Sequence, residues 1–291
     1  MENCIHFSCK ISCKVPYEDR YETYPDAGIL LLPDSYRETG RQTRLVISCH
    51  GAGGSVSTDD SQVVIQALTK YLLANGFAVM DMAGIPEGYC EKYGINRFNN
   101  IGSPIAVDSY VAGYEKCVSE YNLKKEVLVH GASMGGISST NLVLSGRIPV
   151  LAQTGFCPVL DTYHEIYLHP WSDGLPKIAL EKIYSLDGYD EQKIAPYNPA
   201  ANPKIKRYPV PVAFWHCADD PLVSVDVTER FVNEICESGG RAVLHKLPAG
   251  GHSPQLYGEY VKPSGVAVYH GEKPGITEAV EGAFSVMAKY K

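Results

Sequence analysis

The sequence predicts an α/β fold: a doubly wound, mostly parallel sheet that carries an inserted cap. Two observations predict it. Short β-rich apolar runs alternate with longer segments of helical period, the pattern of strands joined by crossover helices. Near the middle, residues 156–208 break that alternation and must leave the sheet and return to it.

The strand-like runs are "AGILLLP" near 27, "RLVISCH" ending at His50, "GFAVMDM" from 76 and "EVLVHG" from 126, followed by "IPVLAQTG" from 148, "VPVAFWH" from 210 and "RAVLHKL" from 241. Between them, residues 60–75 carry Val64, Ala67, Leu68, Tyr71 and Leu72 at helical spacing, behind an acidic start and before Asn75-Gly76, which predicts a helix. Residues 104–121 and 225–240 read the same way, and "ITEAVEGAFSVMAKY" predicts a last helix. The interrupting segment is rich in Tyr, Pro and His and holds no apolar strand. We therefore expect one domain over 1–291, with 156–208 as a cap over the strand ends, where open α/β sheets bind ligands. A second irregular stretch runs from Ser253 to Gly275.

Composition narrows the class of function. Apolar residues make up 45% of the 291 and charged residues 20%, as in an ordinary globular chain. The net charge of −7, with no basic run, gives no electrostatic reason to expect nucleic acid or an anionic membrane as partner. The nine cysteines form no CxxC and lack metal-ligand spacing, so the sequence predicts reduced thiols and no metal. The N-terminal "MENCIHFSCK" has no apolar signal region, and no stretch approaches the roughly 18 apolar residues of a membrane span. The expectation is a cytoplasmic protein acting on a small molecule.

The chemistry concentrates in "EVLVHGASMGG", residues 126–136. It is a G-x-S-x-G turn between a β-rich run and a helical segment, the context in which a strained turn exposes a nucleophilic serine. Any Cβ at Gly131 or Gly135 is expected to clash there, leaving Ser133 standing at the apex. A serine hydroxyl needs a base to take its proton and an acid to orient that base. "HCADDPLV" offers Asp219 and Asp220 after the strand ending at His216, and "GGHS" offers His252 after the last core strand. The residues alone leave the choice between Asp219 and Asp220 open, with capping of the next helix as the other role of Asp219. Acyl transfer also needs donors for the oxyanion. The N–H of Met134, directly after the serine, is the expected first donor. The second comes from the Gly-rich "HGAGG" loop, at Ala52 with Gly53 as the substitute, and His50 is expected to brace that loop.

"HGAGG", "GASMG", "ADDPLV" and "GGHS", in this order, resemble the α/β-hydrolase superfamily, particularly its esterase and prolyl-oligopeptidase-like branches, over roughly residues 25–290 outside the cap. The resemblance implies a cofactor-free serine hydrolase with Ser133, Asp220 and His252 as its triad. A serine at the apex separates the chain from the branches that use Asp or Cys there.

For substrate, the cap and the loop after "GFAVMDM" put Tyr89, Tyr93, Phe98, Tyr163, Tyr167, Trp171, Tyr184, Tyr189 and Tyr197 near the expected site. Aromatics with hydroxyls suit sugar or aromatic faces better than lipid chains. The expectation is a carboxylesterase for small acyl groups, such as acetyl or aromatic acyl, on a carbohydrate or plant-derived compound. A prolyl-oligopeptidase-like peptidase is the first alternative, and a non-catalytic binding protein on the same fold the second.

Overall fold

The computed structural model describes residues 3–36, 40–56, 62–168, 174–256 and 277–291. The chain opens on an antiparallel hairpin, β1 (Cys4–Lys14) and β2 (Tyr21–Leu31), paired in register from Cys4 opposite Leu31 to Lys14 opposite Tyr21. β1 is a strand beyond the seven apolar runs, in which Ile5, Phe7, Cys9, Ile11 and Cys13 alternate with His6, Ser8, Lys10 and Ser12. That period of two turns one face of the strand toward the core.

The expected alternation follows. β3 (Leu45–Cys49) leads through α1 (Gln62–Ile65) and α2 (Ala67–Ala74) to β4 (Ala78–Met82). α3 (Glu87–Tyr93) and α4 (Pro104–Glu120) then cross to β5 (Val127–Ala132), which is followed by α5 (Met134–Ser145) and β6 (Val150–Phe156). Between β6 and the next strand lie a π-helical turn at Tyr163–Tyr167, α6 (Leu175–Tyr184), α7 (Glu191–Ile194) and several 3-10 turns. β7 (Val212–Cys217), α8 (Val225–Glu237), β8 (Ala242–Leu247) and α9 (Glu278–Ala288) close the described chain.

The strands form one sheet in the order β1-β2-β4-β3-β5-β6-β7-β8, parallel from β4 onward. Its two faces are covered separately. Val107 and Tyr110 of α4, Leu142 of α5 and Phe231 of α8 pack with Leu30, Ile47 and Phe214 on one side. Leu68 and Leu72 of α2 and Ala279 and Met287 of α9 pack with Ile29, Val46 and Val79 on the other. The sheet is therefore doubly wound, and burial on both faces explains why its central strands read as unbroken apolar runs.

The helix expected over 60–75 is interrupted, because Gln66 adopts an extended backbone (φ −61°, ψ 136°) between α1 and α2. The β-branched run Val63-Val64-Ile65 is the weakest helix former of that segment. Residues 60 and 61 of that expected helix, Trp171, and positions 257–275 of the second irregular stretch lie outside the described residues. α4 begins where its cap dictates: Ser103 Oγ accepts from Ala106 N–H at 3.3 Å and Pro104 holds the first turn. Among the described residues no helix is long and apolar enough to cross a membrane.

This winding creates the crevice. From β3 the chain moves to β4 on one side, then crosses to β5 on the other. The segments leaving β3 and β5 thus depart toward opposite faces, the switch point at which such sheets bind ligands.

Candidate active site

Ser133 sits at that switch point, immediately after β5, with φ 53° and ψ −122°. A non-glycine residue there costs roughly 1–3 kcal/mol and persists only where its surroundings over-determine it. The surroundings do so. A Cβ on Gly131 would meet the Gly135 carbonyl oxygen at 2.2 Å, and one on Gly135 would meet the Cys49 carbonyl oxygen at 1.9 Å. Both glycines are required by close backbone approach, since neither has a positive φ. The turn is pinned to its neighbours by Ser133 N–H on Phe156 O at 2.9 Å and by Val159 N–H on Ser133 O at 2.9 Å.

His252 stands 2.8 Å from Ser133, measured from Nε2 to Oγ, and its Nδ1 lies 2.8 Å from Asp220 Oδ2. The acceptor at Nδ1 fixes the tautomer: Nδ1 carries the hydrogen and the Nε2 lone pair faces the serine hydroxyl. Burial opposes a charge on this ring, but the Cys157 sulfur and the Asp220 carboxylate outweigh it and push its pKa up.

The Asp220 side chain is fully buried, and its Oδ1 accepts from Leu222 N–H at 2.9 Å and Val223 N–H at 3.0 Å. Burial raises the energy of this carboxylate, yet hydrogen bonds from His216 and His252 hold its pKa well below the usual range. Asp219 is elsewhere: it accepts from Gly250 N–H at 3.3 Å and Gly251 N–H at 2.9 Å, bracing the turn that presents His252. It does not cap α8, whose N-cap is Ser224.

The Gly-rich loop leaves β3 beside this turn. His50 is buried, with Nδ1 3.0 Å from Asp81 Oδ2, and a Cβ on Gly54 would strike its ring at 2.4 Å. His50 is thus packed under the loop. The N–H groups of Met134 and Ala52 have no acceptor among the described residues. Of the aromatics, Tyr89 is buried in packing, Tyr184 is partly buried against the same cluster, and Tyr93 donates to Glu22 at 2.9 Å. Tyr163, Tyr167 and Tyr189 cluster, with Tyr189 4.7 Å from Tyr163 and 5.1 Å from Tyr167 between ring centres. Tyr163 and Tyr189 line a cavity of about 670 Å³ with Asp161 and Asn198. Phe98 lines another, of about 380 Å³, bordered by Gly54 and Ser55.

Sequence reasoning missed two contributors. His216, fully buried, places Nε2 3.1 Å from Asp220 Oδ2 and 3.1 Å from Val223 O, with Nδ1 2.9 Å from Thr228 Oγ1. Its Nε2 faces acceptors alone, so that nitrogen carries the hydrogen. Cys157, directly after β6 with φ 38°, places Sγ 3.9 Å from His252 Nε2 and 3.6 Å from His252 O. Neither had a signature in the sequence: His216, on β7, meets Asp220 four residues later, whereas Cys157 and His252 sit in loops that only the sheet brings together.

Sheet order, winding and the turn after β5 are those of the α/β-hydrolase fold. Solved structures share it. A Pyrococcus horikoshii acylaminoacyl peptidase is similar at TM-score 0.62 and 12% identity, over 87% of this chain and 39% of its own. A puromycin hydrolase is similar at TM-score 0.59 and 17% identity, over 85% of this chain and 36% of its own. Est1E from Butyrivibrio proteoclasticus is similar at TM-score 0.61 and 14% identity, over 97% of this chain and 98% of its own. The chain therefore spans about two fifths of the first two and nearly all of the third. No family model and no curated protein matches the sequence.

Proposed function

We propose that this protein is a serine hydrolase that cleaves small acyl esters through an acyl-enzyme on Ser133. The observation that supports this reading is the continuous chain Ser133 Oγ–His252–Asp220, with contacts of 2.8 Å on both sides of the imidazole. In that reading His252 Nε2 takes the Ser133 proton as Oγ attacks the carbonyl carbon. Asp220 holds the imidazole in the competent tautomer and stabilises the imidazolium that forms. The N–H groups of Met134 and Ala52 receive the developing oxyanion. His252 then returns the proton to the leaving alcohol, and water repeats the cycle on the acyl-enzyme.

The cap over residues 156–208 supplies the alcohol-side pocket in this proposal. Tyr163 and Tyr189 offer ring faces beside the polar Asp161 and Asn198, a lining suited to a sugar or phenolic group. The similarity in fold to Est1E keeps ester hydrolysis as the first reading. The similarity to an acylaminoacyl peptidase keeps amide hydrolysis as the second reading. Turnover of p-nitrophenyl acetate is compared with that of an aminoacyl naphthylamide on the same preparation. The ester reading expects kcat/KM for the ester to exceed that for the amide by about 100-fold or more, over 2.7 kcal/mol of barrier. The reverse order replaces it with the peptidase reading.

A further inference from the structure

Cys157 is the residue of this site that acyl transfer does not use. Its neighbours define a set of donors that the sequence spacing concealed: Cys157, Asp220 and His252 have ligand atoms all within 4.8 Å of one another. They come from the loops after β6, β7 and β8, three adjacent strands of the sheet. We propose that Cys157 Sγ and His252 Nε2 form an inhibitory site for a thiophilic divalent cation, with zinc as the fitting ion.

The geometry is close to what zinc requires. Zinc bonds sulfur at about 2.3 Å and imidazole nitrogen at about 2.0–2.1 Å, so two such donors on one tetrahedral ion stand about 3.6 Å apart. Sγ and Nε2 are 3.9 Å apart, a difference that a small side-chain rotation closes. Ser133 Oγ, 2.8 Å from Nε2, offers a further oxygen donor beside the pair. Behind the ring, Asp220 already accepts from Nδ1, the carboxylate–histidine arrangement that orients zinc-binding imidazoles. A thiolate and an imidazole favour zinc over magnesium or calcium, which take oxygen ligands.

On binding, the Cys157 S–H bond is replaced by S–Zn and its proton goes to solvent; no electrons move. The zinc takes the Nε2 lone pair, so His252 can no longer receive the Ser133 proton. The inhibition rests on the function proposed above; the binding does not.

The experiment separates the two. Zinc chloride is titrated into the full chain after removal of trace metal, and bound zinc is measured with a chromophoric chelator. p-Nitrophenyl acetate turnover is followed in parallel, with EDTA reversal. Cobalt(II) replaces zinc in a second series, in which a thiolate-to-metal charge-transfer band reports sulfur ligation without reference to activity. The expected result is one strongly bound ion per chain, a cobalt–thiolate band, and inhibition that EDTA reverses. In Cys157→Ala the band disappears and the half-inhibiting zinc concentration rises on the order of 100-fold. Cys157→Ser serves if the alanine variant does not fold. Cys4 Sγ lies 3.8 Å from His6 Nε2 on the N-terminal hairpin, so Cys4→Ser is run as a control. Band and binding that survive in Cys157→Ala, or vanish in Cys4→Ser, overturn the proposal. Zinc binding through Cys157 in a protein that turns over no ester would leave the site standing and remove the function.

Discussion

His216 shares Asp220 with His252: its Nε2 lies 3.1 Å from the same carboxylate oxygen, Oδ2, that His252 Nδ1 approaches to 2.8 Å. The acid of the proposed triad is thus held by a second buried histidine, itself fixed by Thr228. A charge-assisted hydrogen bond of this kind contributes about 1.5–3 kcal/mol. His216→Leu is expected to lower kcat roughly 10–100-fold with little change in KM, and His216→Gln, which keeps a donor, to recover part of that loss. Steady-state kinetics on an acyl ester, normalised to titrated active sites, checks it.

The two neighbouring aspartates have separable tasks. Asp220→Asn removes the partner that sets the His252 tautomer and is expected to cost kcat on the order of 10⁴-fold. Asp219→Ala removes only the acceptor for Gly250 and Gly251, and roughly tenfold is expected. The reverse ranking would exchange their roles.

A pH profile follows from the site's charges. His252 must be neutral to act as base, and Cys157 and Asp220 push its pKa up against the effect of burial. kcat/KM is therefore expected to rise with pH, with its acid limb centred above the ordinary imidazole value of about 6.5. A limb centred below 6.5 in the wild type contradicts the electrostatic argument.

The glycines beside Ser133 give a structural test. Gly135→Ala forces a Cβ to 1.9 Å from the Cys49 carbonyl oxygen, a backbone group that cannot rotate away. A loss above about 4 kcal/mol of stability, or no folded protein, is expected. Gly146→Ala, with φ 66° and open space around it, is expected to cost only about 1 kcal/mol. Thermal unfolding of the two variants makes the comparison.

Asp26 predicts a pH dependence of stability. Burial pushes its carboxyl up to about 6 from 3.8, against hydrogen bonds from Ser109 and Gly84. The folded state thus holds the proton more tightly than the unfolded chain. The stability this group contributes is full below about pH 4 and is lost as pH rises through about 6. A shift of about two pKa units corresponds to a change on the order of 3 kcal/mol. Asp26→Asn is expected to lack that decline in denaturant unfolding between pH 4 and 7.

The sheet was legible because β3 to β7 are buried on both faces and stand out as apolar runs between amphipathic helices. β1 carried a readable alternation too, but Cys and Ser in place of Val and Ile weakened it. The Ser133–His252 contact joins residues 119 apart, and it was legible only because each lies in a loop with its own signature. Cys157 and His216 lack such signatures: one follows a strand as any small residue might, and the other is the strand's last inward side chain but one. The approach of Cys157 to His252 is set by the pairing of β6, β7 and β8, which no local pattern encodes, whereas His216 meets Asp220 through the turn that follows β7.

The most direct test of the central claim is covalent labelling of Ser133. The protein is treated with a fluorophosphonate probe near pH 8, digested, and the adduct located by mass spectrometry, beside Ser133→Ala and His252→Ala. The prediction is one adduct, on the peptide containing Ser133, absent from Ser133→Ala and slowed by on the order of 10³-fold or more in His252→Ala. An unlabelled wild type, or an adduct on another residue that persists in Ser133→Ala, would contradict it.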